Sequence, residues 1–338
     1  MARIYEQLAA AQTPFALALI AGTKGSSPQR AGAKAMFFAD GKIIGTLGGG
    51  CLEAEVQARA LQALKTGQPA EFAMLLDHDF GWDDGLICGG SVNGVILPHA
   101  AGAAELWRKL AAPAETIRWG VKKDFSIALA DSPIRRFNDS TDWLYRETVS
   151  PPVELWIAGS GHVAQAVVPL AQQLDFAVTV FDDRPELANH QYFPAATKLR
   201  VGGWHELLKI RPLVAQTSCL RDSKPSPVVT ETHRPDACAN WPAFGLVVTR
   251  GHQHDALVLS EWVRFPFAFL GMIGSRRKAR IMREQFIKQN LATPEQFDRI
   301  ACPVGLDIAA VGTHEIAVSV LAQLIQRRGE MRDQRRAA

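Results

Sequence analysis

The feature that most constrains the fold is a glycine turn between a strand and a helix in the second half of the chain. Residues 154–158 form a run of strand length that is apolar from Leu155 onwards. Gly159-Ser160-Gly161 follows, and an amphipathic pattern continues to Leu174. The next apolar run ends in Asp182, about 20 residues beyond the turn. Because the Gly-x-Gly-x-x-Gly/Ala pattern stands here in the strand–turn–helix setting that it requires, it predicts a Rossmann-like unit.

A turn of this kind binds phosphate through the amides of the helix start, so we predict cofactor-binding roles for Gly159, Gly161 and His162. Asp182 would accept hydrogen bonds from a ribose diol, which favours an NAD-like ligand, although the neighbouring Arg184 weakens that preference. The alternative is a scaffold that has kept the turn and lost the dinucleotide. An oxidoreductase would also need a proton donor beside its substrate, and His162 lies inside the phosphate turn, which is the wrong place.

The first half of the chain carries a second glycine turn, Gly48-Gly49-Gly50-Cys51. Apolar residues at four-residue spacing from position 52 to position 64 predict a helix that begins at this turn. Unpaired amides and the positive end of the helix dipole favour an anion such as phosphate at a helix start. The same dipole lowers the pKa of a cysteine placed there, which favours a reactive thiolate. The alternative for Cys51 is a small buried side chain in a tight turn. A second thiol beside glycines, in Cys88-Gly89-Gly90, favours the functional interpretation.

Two polar segments follow later predicted strands, at the edge where open α/β sheets bind ligands. The first contains His252, His254 and Asp255, which we predict to bind a cofactor; a metal-dependent hydrolase or a simple helix cap are the alternatives. Their spacing differs from that of metallohydrolases, so we predict no bound metal. The second, Gly274-Ser275-Arg276, combines a helix start, a hydroxyl and a cation suited to phosphate, or is a capped helix start in solvent.

The double proline in Ser150-Pro151-Pro152 divides the chain into two patterns. Short strand-like runs and an Asp40-Gly41 hairpin signal precede it, whereas strands alternate with helices after it. We therefore expect the α/β class, with an N-terminal mixed α+β domain followed by a Rossmann-like doubly wound parallel-sheet domain. The expected ranges are 1–150 and 151–330, with a basic tail at 331–338. The proline-rich stretch 215–243 does not fit the alternation of strands and helices expected for the second domain.

Composition argues against several classes of protein. The 37 basic and 34 acidic side chains leave no field that indicates a nucleic-acid partner. The five cysteines lack paired spacing, which argues against a disulfide scaffold and a zinc ribbon. The N-terminus has no signal-peptide pattern, and no apolar stretch approaches the roughly 18 residues of a membrane span. We expect a cytoplasmic protein.

Short motifs run through both halves of the chain. They are Gly25-Ser26-Ser27-Pro28, Gly32-Ala33-Lys34, Gly48 to Glu55, Cys88-Gly89-Gly90, Gly159 to Val163, Asp182-Asp183-Arg184-Pro185, Gly251 to Asp255, Gly271 to Lys278 and Pro303 to Ile308. Each motif alone is weak, but the set and its order resemble the xanthine dehydrogenase accessory proteins, the XdhC/CoxI-like family. The resemblance spans almost the whole chain.

This resemblance implies a maturation factor for molybdenum hydroxylases. Such a factor binds the molybdenum cofactor (molybdopterin), protects it while a cysteine desulfurase supplies the terminal sulfido ligand, and delivers it to the apoenzyme. The resemblance also makes Cys51 and Cys88 candidates for contact with the bound molybdenum cofactor, which is the cargo of such a factor. The chain departs from the family pattern in the 215–243 insertion and in Val311-Gly312-Thr313-His314. The runner-up is an NAD-dependent oxidoreductase that uses the Gly159 turn and Asp182. The sequence leaves open whether the protein forms a homodimer and whether the cofactor is the mononucleotide or the dinucleotide form.

Overall fold

The computed structural model describes residues 2–76, 89–130, 142–210 and 243–337. The chain divides into two compact units, Met1–Pro151 and Pro152–Ala338. The predicted insertion at 215–243 lies, except for Ala243, outside the described residues, as does Cys88.

The first unit combines helices with two sheets. Its helices are α1 (Ala2–Ala10), α2 (Gly50–Thr66) and α3 (Ala104–Ala111), and its strands are β1 (Phe15–Lys24), β2 (Lys34–Phe38), β3 (Ile43–Gly45), β4 (Ala70–Leu76), β5 (Gly90–Leu97), β6 (Ile117–Lys122), β7 (Ile127–Leu129) and β8 (Trp143–Val149). The larger sheet has the order β3-β2-β1-β5-β4 and the smaller one β7-β6-β8. All the pairings are antiparallel, which confirms a mixed α+β unit.

Strand β1 lies at the centre of the larger sheet and is buried on both faces. Leu17 and Leu19 pack into a core with side chains of α1, α3 and the smaller sheet. Ala18 and Ile20, which point to the other face, pack against α2. The predicted hairpin at Asp40-Gly41 joins β2 to β3, and the Asp40 carboxylate accepts the Lys42 amide at 3.0 Å. Helix α1 and strand β6 were not predicted from the sequence.

A buried ion pair joins the two sheets of the first unit. The Lys34 ammonium donates to Glu147 Oε2 at 2.6 Å and to the Gly32 carbonyl at 2.9 Å. The hydroxyls of Tyr5 and Tyr145 donate to the same Glu147 oxygen at 2.6 and 2.8 Å. Burial lowers the pKa of Lys34, while Glu147 opposes that shift. Burial, followed by the Glu147 charge, raises the pKa of both tyrosines. The buried polar groups of this network therefore depend on one another for their hydrogen-bond partners.

Replacing Glu147 by Gln should destabilise the first unit by about 3 kcal/mol, because the Lys34 charge would stay buried without its partner. The matched control is Glu55→Gln, which removes an exposed helix pair with Arg59 and should cost less than about 0.5 kcal/mol. Hydrogen exchange of the β1 amides measures both changes. Equal losses in the two variants would contradict this account of the network.

The second unit is a parallel sheet covered by helices on both faces. Its strands are β9 (Val153–Ala158), β10 (Phe176–Asp182), β11 (Lys198–Val201), β12 (Ala243–Val247), β13 (Phe269–Met272) and β14 (Ile300–Ala301), and its helices are α4 (His162–Gln173), α5 (Trp204–Leu207), α6 (His252–Trp262), α7 (Arg276–Lys288), α8 (Pro294–Asp298) and α9 (Thr313–Ala337). The strand order is β11-β10-β9-β12-β13-β14, with parallel pairing throughout.

Two hydrophobic cores sandwich this sheet. One contains side chains of α4 and α9, and the other contains side chains of α6, α7 and α8. This arrangement confirms the doubly wound prediction. The last helix runs on to Ala337, so residue 331, where we expected a tail to begin, lies inside a helix. Arg328 of that helix lies 4.4 Å from the centre of the Phe176 ring.

The described part of the chain contains no helix of the length and apolar character that a bilayer crossing requires.

Candidate functional site

Three glycine-containing segments of the first unit pack closely against one another. An ideal Cβ added to Gly90 would lie 2.0 Å from the Ser26 carbonyl oxygen, and one added to Gly48 would lie 2.5 Å from Pro28 Cβ. Side chains at these positions would therefore force the segments apart. The structure thus brings together three of the sequence motifs, which lie far apart in the chain. We call the region formed by Gly25 to Pro28, Gly48 to Cys51 and Gly89-Gly90 the glycine surface.

Part of the glycine surface is open. A Cβ added to Gly49, Gly50 or Gly89 would meet no atom within 4 Å, so another molecule can approach the main chain there. Cys51 lies in the first turn of α2 and is half-buried. Of the two predicted thiols, the structure therefore places Cys51 beside the open glycines.

The turn before α2 already holds an anion, the carboxylate of Glu53. Its Oε1 accepts the Leu47 amide at 2.8 Å and the Thr46 hydroxyl at 2.5 Å. Burial alone would raise the pKa of Glu53, but these hydrogen bonds and those from the Gly48 and Gly49 amides hold it below its usual value. A phosphate at this turn, as the sequence predicted, would have to compete with a carboxylate of the chain itself.

The predicted phosphate turn of the second unit lies where the strand order reverses, between β9 and β12. A Cβ added to Gly159 would lie 2.3 Å from the Val248 carbonyl oxygen, so the turns after these two strands touch. A Cβ added to Gly161, at the N-cap of α4, would meet nothing within 4 Å. His162 follows at the start of α4 and is exposed. The turn after β9 is therefore open at Gly161, and phosphate binding there stays a prediction.

Asp182 is fully engaged by its neighbours. Its Oδ2 accepts the Ser160 amide at 2.7 Å and Arg184 Nη2 at 2.8 Å. Its Oδ1 accepts the Arg184 amide at 3.0 Å and Arg184 Nε at 2.8 Å. Burial opposes ionisation, but these hydrogen bonds hold the pKa of Asp182 at about 2. Four donors fill the roughly four acceptor positions of a carboxylate, which leaves none for the ribose diol that we expected Asp182 to bind.

The segment at the start of α6 is held by internal contacts. Asp255 is buried; its Oδ1 accepts the Thr249 hydroxyl at 2.7 Å and its Oδ2 accepts the Lys278 ammonium of α7. His254 Nε2 lies 2.9 Å from Arg250 Nη2, and His252 is exposed. Within the described ranges, no three His, Cys, Asp or Glu side chains are placed to share a metal ion.

The start of α7 is a capped helix. The Ser275 side chain accepts the Lys278 amide at 3.2 Å. Gly274 lies against Lys278, whose Cδ would be 2.8 Å from an added Cβ, and Arg276 is exposed. The sequence left a phosphate site and a capped helix start open here. The contacts agree with the cap, and a role of Arg276 in cofactor binding stays a prediction.

Within the described ranges, the predicted site residues of the first half lie in the first unit and those of the second half lie in the second unit. Sequence reasoning missed the three side chains that hold these regions: Glu53, Lys278 and, as a partner of Asp182, Arg184. Glu53 and Lys278 lie within the short motifs, and Arg184 is two residues from Asp182. The sequence shows that these residues are charged, but it does not show their contacts, because those depend on the tertiary structure of the turns.

Comparison with known proteins identifies the family. Residues 155–324 match the XdhC Rossmann domain, and residues 8–79 match the XdhC and CoxI family. The chain is 27% identical over 317 residues to the uncharacterized protein YqeB of Escherichia coli, covering 93% of this chain and 43% of that protein. It is 25% identical over 348 residues to a probable xanthine dehydrogenase subunit of Bacillus subtilis, covering 94% of each.

A crystal structure from Bacillus halodurans, described as a xanthine dehydrogenase, has a similar fold. Its TM-score is 0.75 at 24% identity, over 97% of this chain and 96% of that one. The chain belongs to the XdhC and CoxI family. It spans less than half of the length of YqeB and nearly the whole length of the Bacillus subtilis relative.

The two glycines of the phosphate turn should differ in their tolerance of alanine. Gly159→Ala should destabilise the second unit by about 2 kcal/mol, because its Cβ meets the Val248 carbonyl in a backbone conformation that disfavours side chains. Gly161→Ala, whose Cβ points into open space, should cost less than about 1 kcal/mol. Urea denaturation of the two variants checks the difference. A loss at Gly161 as large as that at Gly159 would show that this helix start is not open.

Cys51 should react with iodoacetamide near neutral pH faster than Cys302. Cys51 lies among the amides of a helix start, whereas burial raises the pKa of Cys302 despite the nearby Lys278. Both thiols are half-buried, so Cys302 is a matched comparison. Mass spectrometry of a time course gives the two rates. Equal rates would remove the predicted thiolate character of Cys51.

Proposed function

We propose that the protein is a cytoplasmic accessory factor for a xanthine dehydrogenase-class molybdenum hydroxylase. It binds the molybdenum cofactor as cargo, holds it while a cysteine desulfurase supplies the terminal sulfido ligand, and delivers it to the apoenzyme. Membership of the XdhC and CoxI family supports this role. So does a relative of almost the same length whose name refers to xanthine dehydrogenase.

The observation that carries the proposal is the open part of the glycine surface beside Cys51. Gly49, Gly50 and Gly89 leave main-chain atoms exposed to close approach by a flat ligand. Cys51 lies at the edge of this opening and provides a soft sulfur ligand, the type that suits a thiophilic metal. Carriers need such reversible contacts because their cargo must leave again. The predicted contact of Cys88 with the cargo remains part of the proposal.

Glu53 limits which part of the cargo this surface fits. Its carboxylate already accepts the amides of the turn before α2, so an incoming phosphate would meet a negative charge there. We therefore assign the pterin ring or the metal end of the cargo, rather than its phosphate, to the glycine surface. Thiol contact and main-chain hydrogen bonds are compatible with that end. This replaces the phosphate role that the sequence favoured for Gly48-Gly49-Gly50.

The alternative function, an NAD-dependent oxidoreductase, has less support. It requires Asp182 to bind a ribose diol, and all the acceptor positions of that carboxylate are occupied. It also requires a proton donor beside the nicotinamide, and His162 lies at the start of α4 in the phosphate turn. The metal-dependent hydrolase is not supported either, because Asp255 is paired with Lys278.

A reconstitution assay tests the proposal. The protein purified anaerobically should carry a fluorescent pterin and should restore activity to a cofactor-free molybdenum hydroxylase from the same cell. Cys51→Ala should lose most of the pterin while keeping the fold, because it removes the sulfur beside the open glycines. Cys302→Ala, a half-buried thiol of the second unit, is the matched control and should retain the pterin.

Two results would count against this role. One is steady-state NAD reduction by the isolated protein with xanthine or aldehydes, which a carrier does not perform. The other is failure of the loaded protein to activate any apoenzyme under anaerobic conditions. If both cysteine variants retained the pterin equally, delivery could stand but the thiol would have no part in it.

A further inference from the structure

The Rossmann crevice of the second unit has the parts of an NAD site, yet one side chain closes it. The Gly159 turn lies at the reversal of strand order, Gly161 faces open space, and an aspartate ends the second strand of the unit. In NAD-binding units that aspartate accepts hydrogen bonds from the adenosine ribose diol. In this chain the same carboxylate holds the guanidinium of Arg184.

We propose that Arg184 determines the specificity of this crevice by occupying the ribose-diol position, so that the crevice rejects NAD. This selectivity goes beyond the proposed carrier role and does not depend on it. It concerns only residues 159–184 of the second unit and a defined class of ligand, the dinucleotides with a free adenosine ribose diol.

The geometry of the carboxylate supports this assignment. Two of its four hydrogen bonds come from main-chain amides, one on each oxygen, namely Ser160 to Oδ2 and Arg184 to Oδ1. The other two come from the Arg184 side chain, again one on each oxygen, at 2.8 Å. Removing the guanidinium therefore frees one acceptor position on each oxygen. Two freed positions are what the two hydroxyls of a ribose diol require.

Burial makes this occupation persistent. The Asp182 side chain is 1% exposed and that of Arg184 is 20% exposed, so water screens the pair weakly. Bidentate contacts between arginine and carboxylate are also among the stronger hydrogen-bonded pairs. A ribose would have to displace this pair, and a neutral diol cannot replace the charge interaction that is lost.

The test is a gain of function. Wild-type protein titrated with NADH, followed by nicotinamide fluorescence and calorimetry, should show no saturable binding up to the millimolar range. Arg184→Ala should bind NADH at least about tenfold more tightly than wild type, because Asp182 then has a free acceptor on each oxygen. Arg184→Met, which keeps the length of the side chain without its N–H donors, should gain binding as well.

Two controls isolate the cause. Arg250→Ala removes an arginine that pairs with Asp183 at 2.8 Å, so it makes the same change in charge while leaving Asp182 occupied. It should gain no NADH binding. Asp182→Asn in the Arg184→Ala background should abolish the gain. A carboxyl titration by NMR should also show the pKa of Asp182 rising from about 2 in the Arg184 variants.

Three outcomes would overturn the proposal. The first is NADH binding by wild type as tight as by Arg184→Ala. The second is no gain in either Arg184 variant when the NMR titration shows that Asp182 has been released. The third is tight binding of NADPH by wild type, which would make Arg184 a ligand of the 2′-phosphate rather than a block. None of these results bears on delivery of the molybdenum cofactor, which the reconstitution assay measures separately.

Discussion

Close approach of main-chain segments at glycine is the constraint on which both units depend. At Gly90 in the first unit and Gly159 in the second, an added Cβ would lie within 2.3 Å of a carbonyl oxygen of another segment. A side chain in such a space would force the neighbouring main chain to shift, so each of these turns strongly favours glycine. The same feature leaves main chain, rather than side chains, at the surface that a ligand would approach. Tight packing and ligand access thus belong to neighbouring glycines of the same turns: Gly90 and Gly159 pack closely, whereas Gly89 and Gly161 face open space.

Carboxylates fix these glycine turns and also limit what they can bind. Glu53 accepts amides of the turn before α2, and Asp182 accepts the Ser160 amide of the turn before α4. Both helix starts therefore carry an anion that belongs to the chain. The first carboxylate disfavours phosphate at the glycine surface, and the second is closed to a diol by Arg184. In our proposals, these internal carboxylates are what limits the ligands that each candidate site accepts.

Occupied carboxylates also explain how a Rossmann unit can belong to a proposed carrier. The fold supplies a phosphate-type turn and an aspartate, which in many proteins are sufficient for a dinucleotide. In this chain, contacts around that aspartate and around Asp255 are internal, and they tie strand ends and helix starts to one another. The Gly159 turn alone is therefore weak support for a dinucleotide-dependent function. The family relationship and the glycine surface are stronger support for the proposed carrier role.

The sequence by itself predicted the two fold patterns and several of their elements, although it missed α1 and β6. Periodicity and the positions of glycine and proline predicted the Asp40-Gly41 hairpin, α2, the strand–turn–helix at Gly159 and the division near Pro151, because these signals are local. The short motifs also identified the family, which the comparisons confirm.

Contacts between distant segments were decided only by the tertiary structure. That Gly90 touches Ser26, that Glu147 neutralises Lys34 across 113 positions, and that Arg184 fills both oxygens of Asp182 depend on where turns fold back. Hydrogen bonds are directional and change over fractions of an ångström, whereas hydrophobic periodicity tolerates small displacements. A sequence pattern can therefore name the residues of a site, but their remaining capacity to bind a ligand follows from the folded geometry.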